Sequence, residues 1–126
     1  MIVLDTSAVI DSFTWPKRSA PVVRKAIERG EYLAIPTLVL YEWLRGPRLP
    51  EEVAAQEALL PRESALSFGP EEAAVAAELY RSVSRARGRE IDLAIAACAI
   101  TRDANLWTLN LGDFRDIPGL RASSPA

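Results

Sequence analysis

A chain of 126 residues, 49% hydrophobic and 25% charged, is long enough for one domain with a single buried core. It contains no histidine and one cysteine, which excludes a Ser-His-Asp triad, a Cys-His pair and a zinc site of nitrogen and sulfur ligands. The formal charge of −2 does not by itself indicate a nucleic-acid-binding protein. Any catalysis must therefore depend on carboxylates, hydroxyls, arginines or a hard metal bound by oxygen.

The predicted elements alternate between short apolar strands and helices with an apolar face. In chain order they are a strand over 1–5, helices over 6–14 and 20–30, a strand over 32–36, helices over 37–47 and 51–60, a strand over 65–69, helices over 70–87 and 90–100, a strand over 106–110, and a fifth strand over 120–124. This alternation predicts an α/β sandwich with a mainly parallel sheet.

Segments for targeting or membrane insertion are not evident. No apolar stretch reaches the roughly 18 residues that span a bilayer, and the N-terminus lacks the basic region of a signal peptide. The only cysteine, Cys98, lies in an apolar run and cannot form an internal disulfide. We therefore expect a reduced, cytoplasmic protein with one domain over 1–126, whose last residues, 122–126, form a loose tail.

Four acidic residues lie in unusually apolar settings. Asp5 ends the first strand, Glu42 is the only charged residue between Leu38 and Leu44, Asp92 lies near the start of "EIDLAIAACAI", and Asp113 lies in "TLNLGDF". Each has an ordinary alternative. The three aspartates could cap helix starts, and Glu42 could be a surface residue that pairs with Arg45 at i+3.

Taken together, these acids indicate a metal site. In parallel α/β sheets, ligands bind at the carboxyl ends of the strands, and four carboxylates that converge there would repel each other. Mg²⁺ or Mn²⁺ removes this repulsion, prefers oxygen ligands, and is the usual means of cutting a phosphodiester. Four acids assigned to metal leave 13 acids against 15 cations, a remainder of about +2, which is compatible with an RNA partner.

Arginines supply 13 of the 15 cations, and several lie close together between 81 and 89. They could form the solvated, cationic end of a helix, or they could grip phosphates, because the guanidinium fork matches phosphate oxygens. On the second interpretation, three arginines are predicted RNA or partner contacts: Arg45, Arg85 and Arg89.

Four motifs in one order resemble the PIN-domain family, and most closely its small VapC-type toxins: "MIVLDTSAVID", "YEWLRG", "EIDLAIAACAI" and "LWTLNLGDF" followed by "IPGL". The resemblance extends from residue 2 to about residue 120. It implies a three-layer α/β/α fold with a sheet of about five parallel strands, and endoribonuclease activity that depends on Mg²⁺ or Mn²⁺. It also implies an RNA substrate, a homodimer, and a small antitoxin whose tail blocks the acidic site.

The resemblance also implies roles for individual residues. Asp5, Glu42 and Asp92 match the three core acids, which hold metal and form no covalent intermediate. Family members place the fourth acid at one of two offsets, which are Asn110 and Asp113 here, and we choose Asp113.

Hydroxyl groups are implied beside these acids. Thr6, or else Ser7, matches the hydroxyl next to the first acid, which orients a ligand or water. Thr108 is expected to act similarly on the far side of the site.

Rival interpretations are less well supported. A phosphatase of the haloacid-dehalogenase type needs a second acid two residues after Asp5, where this chain has Ser7. A receiver domain needs acids beside Asp5 and a late lysine, but the two lysines lie early in the chain. A PIN-like module that only binds a partner or RNA, or a nuclease outside any toxin–antitoxin pair, remains open.

Overall fold

In a computed structural model, which describes residues 1–125, six α-helices flank one parallel sheet. The strands are β1 (Ile2–Leu4), β2 (Leu33–Ala34), β3 (Asn105–Trp107) and β4 (Arg121–Ser123). The helices are α1 (Thr6–Phe13), α2 (Ala20–Glu28), α3 (Thr37–Arg45), α4 (Pro50–Leu59), α5 (Pro70–Ser82) and α6 (Glu90–Ile100). The predicted three-layer α/β/α class with a parallel sheet is confirmed.

The order of the strands creates a crevice at one edge of the sheet. The order is β2-β1-β3-β4, and every pair is parallel. The chain moves from β1 outward to β2 and then returns to the other side of β1, so the strand order reverses between β1 and β3. Such a reversal separates the connections that leave the two strand ends and opens a binding crevice there. The residues that follow β1 and β3 therefore face this crevice.

The strand predicted over 65–69 is reduced to a single parallel bridge between Pro36 and Leu66. Leu66 N–H donates to the Ile35 carbonyl (2.9 Å), and Thr37 N–H donates to the Leu66 carbonyl (2.9 Å). The pairing stops there because α3 begins at Thr37 on one side and a 3₁₀ turn over Arg62–Ser64 precedes Leu66 on the other. The sheet consequently has four strands in residues 1–125 rather than about five.

The C-terminal predictions have mixed outcomes. The fifth predicted strand, 120–124, exists as β4. The predicted loose tail is therefore wrong at its start, because residues 122 and 123 pair with β3. Residue 126, the end of that predicted tail, lies outside the described residues.

Helix α5 ends at Ser82, whereas the prediction extended it to residue 87. Val83 is extended (φ −85°, ψ 148°), and Arg85 has a left-handed backbone (φ 55°). The partly buried Val83 packs against the core while Ala86 is buried, and this burial turns the chain toward α6. The arginine-rich segment is thus a loop between α5 and α6 rather than a helix end.

Helix α6 crosses the centre of the molecule. Every residue from Leu93 to Ala99 is buried, as expected for a helix that is apolar on all sides. It packs against α5, α3 and β3. In residues 1–125, no helix combines the length and the apolar character that crossing a bilayer requires.

Candidate active site

Asp5 lies directly after β1 and is held at both carboxylate oxygens. Its Oδ1 accepts hydrogen bonds from Ser7 Oγ (2.6 Å) and from the Ala8 N–H (3.1 Å), and the latter bond caps α1. Its Oδ2 accepts from Thr108 Oγ1 (2.7 Å), across from β3. Helix capping and a place in the crevice are therefore compatible, because the same carboxylate does both.

Burial and hydrogen bonding have opposite effects on Asp5. The residue is only 4% exposed. Burial raises the pKa of its carboxyl, while the hydrogen bonds from Ser7 and Thr108 act to lower it, and the net shift is upward. The aligned hydroxyls thus support a carboxylate that its surroundings make costly to ionise.

Thr108 joins the two central strands at the crevice. Its side chain is fully buried, and its hydroxyl donates to Asp5 while accepting from the Asn110 N–H (2.9 Å). Ser7 Oγ makes a parallel link, since it donates to Asp5 and accepts from the Leu109 N–H (3.0 Å). These bonds fix the segment after β3 relative to Asp5.

Glu42 projects from α3 toward the start of α1. Thr6 Oγ1 donates to its Oε1 (2.5 Å), and Arg45 Nη2 lies 3.6 Å from its Oε2. The surface pair with Arg45 is therefore present, but the other carboxylate oxygen is bound inside the crevice. The two hydroxyls beside Asp5 thus bind different acids: Thr6 donates to Glu42, while Ser7 donates to Asp5.

Asp92 is the third residue of α6 and does not cap it. Within residues 1–125, its carboxylate accepts no hydrogen bond. Burial, first, and then three neighbouring negative charges raise the pKa of Asp92 to about 6, against the opposing positive charge of Arg89. The three charges belong to Asp113, Asp5 and Glu42. The four sequence-predicted acids therefore lie close enough to interact electrostatically in one crevice.

The turn after β3 carries both residues considered for the fourth acid. Asp113 ends a short 3₁₀ turn, and its N–H donates to the Asn110 carbonyl (2.9 Å). Both side chains are exposed. Of the two, Asp113 is the residue whose charge acts on Asp92.

The donor set suits a hard divalent cation, although it is not a closed cage. In the described part of the chain, no three histidine, cysteine or carboxylate side chains form a ready-made metal-binding group. Asp92 and Asp113 nevertheless have carboxylates without a hydrogen-bond donor from residues 1–125, and their charges are not balanced within the crevice. An ion that prefers oxygen ligands would relieve this repulsion.

The three predicted arginine contacts differ in their surroundings. The Arg45 side chain is 59% exposed and lies over the Tyr41 ring at 5.3 Å. Arg85 is exposed on the loop before α6. Arg89 is instead bound within the chain, by Asp116 and by the Asp113 carbonyl. Sequence reasoning missed Asp116, because no local pattern connects it with an arginine 27 positions away.

Known proteins of similar sequence or structure identify the fold and the family of this chain. Ribonuclease VapC19 of Mycobacterium tuberculosis is 32% identical over 124 residues, which cover 96% of this chain and 98% of that protein. The VapBC2 structure from Rickettsia felis, bound to a promoter DNA fragment, superimposes with a TM-score of 0.82 at 23% identity, covering 98% of each chain. DNA-bound VapBC from Salmonella typhimurium gives 0.80 at 23% identity, covering 99% of this chain and 98% of that one.

These two structural likenesses establish the fold. The family follows from the sequence, in which residues 2–120 match the pattern described as PIN domain. Apart from Met1, this range includes all four motifs noted above, and the match confirms the resemblance that they indicated. The chain belongs to the PIN-domain family.

Proposed function

We propose that this protein is a divalent-metal-dependent endoribonuclease and the toxin of a toxin–antitoxin pair. The observation that carries the proposal is the crevice between β1 and β3, where four carboxylates interact in a chain that has no histidine. A relative named as a ribonuclease and solved VapBC complexes of the same fold support it.

In this proposal the acids hold the metal, and the hydroxyls orient the acids. Mg²⁺ or Mn²⁺ supplies, when bound, the activation of the attacking water and the stabilisation of the leaving oxygen. The positive end of the α6 dipole, beside which Asp92 lies, offsets part of the burial and repulsion that raise its pKa. The full set of metal-holding residues is Asp5, Glu42, Asp92 and Asp113. The orienting residues are Thr6 for Glu42, and Ser7 and Thr108 for Asp5.

The substrate side of the crevice is proposed to contact RNA phosphates. Arg45 lies beside Glu42 and keeps most of its side chain exposed, so it can reach a phosphate without leaving the crevice. Arg85 is exposed on the adjoining loop. Neutralisation of the four acids by metal leaves the remainder of the chain at about +2, which suits a polyanionic backbone.

A small antitoxin and a second copy of this chain are the proposed protein partners, in the cytoplasm. Coexpression with the product of an adjacent small gene should yield a complex that no longer cleaves RNA. Light scattering should give twice the chain mass for the protein alone. A nuclease that acts outside any toxin–antitoxin pair would be monomeric or dimeric without such an inhibitor.

An RNA cleavage assay with Asp5→Asn tests the catalytic proposal. The parent protein should cut single-stranded RNA with Mn²⁺ or Mg²⁺, lose activity in a chelator, and regain it on metal addition. Asp5→Asn keeps a good helix-capping residue but removes a charged ligand, so cleavage should fall by at least about 100-fold. Asp103→Asn, which changes an exposed acid before β3, is the matched control and should cleave at the parent rate.

Two results would contradict the proposal. Cleavage by Asp5→Asn at the parent rate would place catalysis elsewhere or in a contaminant. RNA binding by the parent without cleavage in any divalent metal would identify a catalytically silent binding module instead.

A further inference from the structure

Arg89 connects the start of α6 with the turn after β3. It precedes α6, and its guanidinium donates to both carboxylate oxygens of Asp116, at 2.9 Å from Nη1 and 2.6 Å from Nη2. Nη2 also donates to the main-chain carbonyl of Asp113 (2.9 Å). One planar group thus holds a side chain and a backbone atom of the turn at the same time.

This contact lies between the two acids that have no other support. Asp5 and Glu42 are oriented by hydroxyl groups, whereas the carboxylates of Asp92 and Asp113 accept no hydrogen bond from residues 1–125. Asp92 follows Arg89 by three residues on α6, and Asp113 is the residue whose carbonyl Arg89 binds. The Arg89 contact therefore ties the start of α6 directly to the turn that carries Asp113.

We propose that Arg89 and Asp116 are positioning residues, which hold the turn carrying Asp113 at a fixed distance from Asp92. The inference rests on the proposed function, in which both acids bind the metal. The bidentate geometry is essential to it, because a guanidinium fork fixes orientation while an ammonium group fixes only charge. Arg89 then acts within the chain rather than as an RNA contact.

A second arginine–aspartate pair, in which the guanidinium binds one carboxylate oxygen and a main-chain carbonyl, provides a control. Arg121 Nη1 donates to Asp103 Oδ1 (2.9 Å), and its Nη2 donates to the Asp103 carbonyl (2.8 Å). These two residues lie at the beginnings of β3 and β4, at the edge of the sheet opposite to the crevice. Their substitution removes a guanidinium–carboxylate bond and a guanidinium–carbonyl bond without touching the acids of the crevice.

Amide hydrogen exchange in the metal-free protein tests the positioning directly. In Arg89→Lys and Asp116→Asn, the amides of the turn over 113–115 should exchange about tenfold faster than in the parent, because the tie to α6 is broken. In Arg121→Lys and Asp103→Asn, the same amides should exchange at the parent rate.

Titration with Mn²⁺ in a calorimeter tests the consequence for the site. Arg89→Lys and Asp116→Asn should each bind Mn²⁺ about tenfold more weakly, the usual effect of losing a residue that orients metal ligands. The double variant should bind Mn²⁺ no more weakly than the single variant with the lower affinity, because both substitutions break the same Arg89–Asp116 contact. The two control variants should bind like the parent.

Any other outcome either overturns the inference or shows that the proposed function fails on its own. Parent-like exchange and Mn²⁺ affinity in both crevice variants would overturn it, and so would equal weakening in the control pair. Parent-like Mn²⁺ affinity in Arg89→Lys alone would show that charge rather than geometry matters, which also overturns it. If the parent itself binds no Mn²⁺, the proposed function fails, and the exchange measurement alone decides whether the pair fixes the turn.

Discussion

At the scale of single residues, Asp92 makes the metal-free protein sensitive to pH. Burial and the neighbouring acids raise the pKa of its carboxyl to about 6, against 3.8 for an unperturbed aspartate. The folded chain therefore binds this proton more tightly than the unfolded chain. The resulting stabilisation is complete below about pH 4 and is lost as the pH rises through about 6. Its size is at most about 3 kcal/mol, and less with solvent screening.

Replacing Asp92 by Asn should remove this dependence. In a chelator at pH 7.5, Asp92→Asn should melt several degrees above the parent protein, because a repelled carboxylate is gone. At pH 4.5 the two melting temperatures should converge, since the parent then holds the proton. Acids such as Asp116, whose pKa Arg89 lowers, act in the opposite direction in both proteins. The difference between the two curves is therefore the quantity to measure.

Asp103→Asn serves as the control for this experiment, because its side chain is 90% exposed. It should follow the parent protein at both pH values. Parallel melting curves for the parent protein and Asp92→Asn between pH 4.5 and pH 7.5 would show that Asp92 is not coupled to the other acids.

At the scale of elements, a buried hydrogen bond joins α3 to α4. Trp43 is fully buried in α3, next to Glu42, and its indole Nε1 donates to Gln56 Oε1 on α4 (3.1 Å). Gln56, itself 1% exposed, donates through Nε2 to the Leu60 carbonyl (2.8 Å). Helix α3 is thus anchored to α4 on its core side, while Glu42, on the crevice side, is oriented separately by the Thr6 hydroxyl of α1.

Substituting Gln56 by Met should destabilise the protein without altering the crevice. The indole N–H and the Leu60 carbonyl would stay buried without partners, at a cost of about 1–3 kcal/mol for each group. Guanidinium unfolding should show a lower midpoint with an unchanged slope, while the Mn²⁺ affinity of the folded protein stays at the parent value. Ala58→Met, on the exposed side of the same helix, should leave the midpoint unchanged.

A large loss of Mn²⁺ affinity in Gln56→Met, at temperatures where the protein is folded, would contradict this division. It would mean that the position of Glu42 depends on α4, and that α3 is not held independently.

At the scale of the whole molecule, the crevice collects acids from segments near both ends of the chain. In the metal-free protein the repulsion between these acids opposes folding. With a cation bound, the acids would instead stabilise the folded state. Ligand binding to the folded state alone stabilises it by about 2.7 kcal/mol at roughly 100 times the Kd. Mn²⁺ should therefore raise the melting temperature of the parent protein, and a chelator should cancel the rise.

The same melting experiment on Asp5→Asn identifies the origin of the stabilisation. The rise with Mn²⁺ should be nearly absent in Asp5→Asn and complete in Asp103→Asn. An equal rise in the parent protein and in Asp5→Asn would mean that Mn²⁺ binds outside the crevice, for example to surface carboxylates.

Much of the fold was predictable because its signals are local. The start of α6 at Glu90 and the strand-to-helix change at Asp5 follow from neighbouring residues. The predicted strand over 65–69 was wrong because a strand needs a partner, and the backbone beside Leu66 turns into α3 at Thr37 after a single bridge. The predicted extension of α5 failed for a similar reason, since the burial of Val83 and Ala86 directs the chain away from the helix.

The sequence by itself determined the class of chemistry and the elements that present it. Without histidine, with a single cysteine and with acids in apolar segments, this chain offers mainly oxygen ligands to a metal. The tertiary structure alone decided which groups meet: Thr108 with Asp5 across 103 positions, and Arg89 with Asp116 across 27. Helix propensity and hydrophobic periodicity act over a few residues, whereas these contacts exist only after the parallel strands have paired.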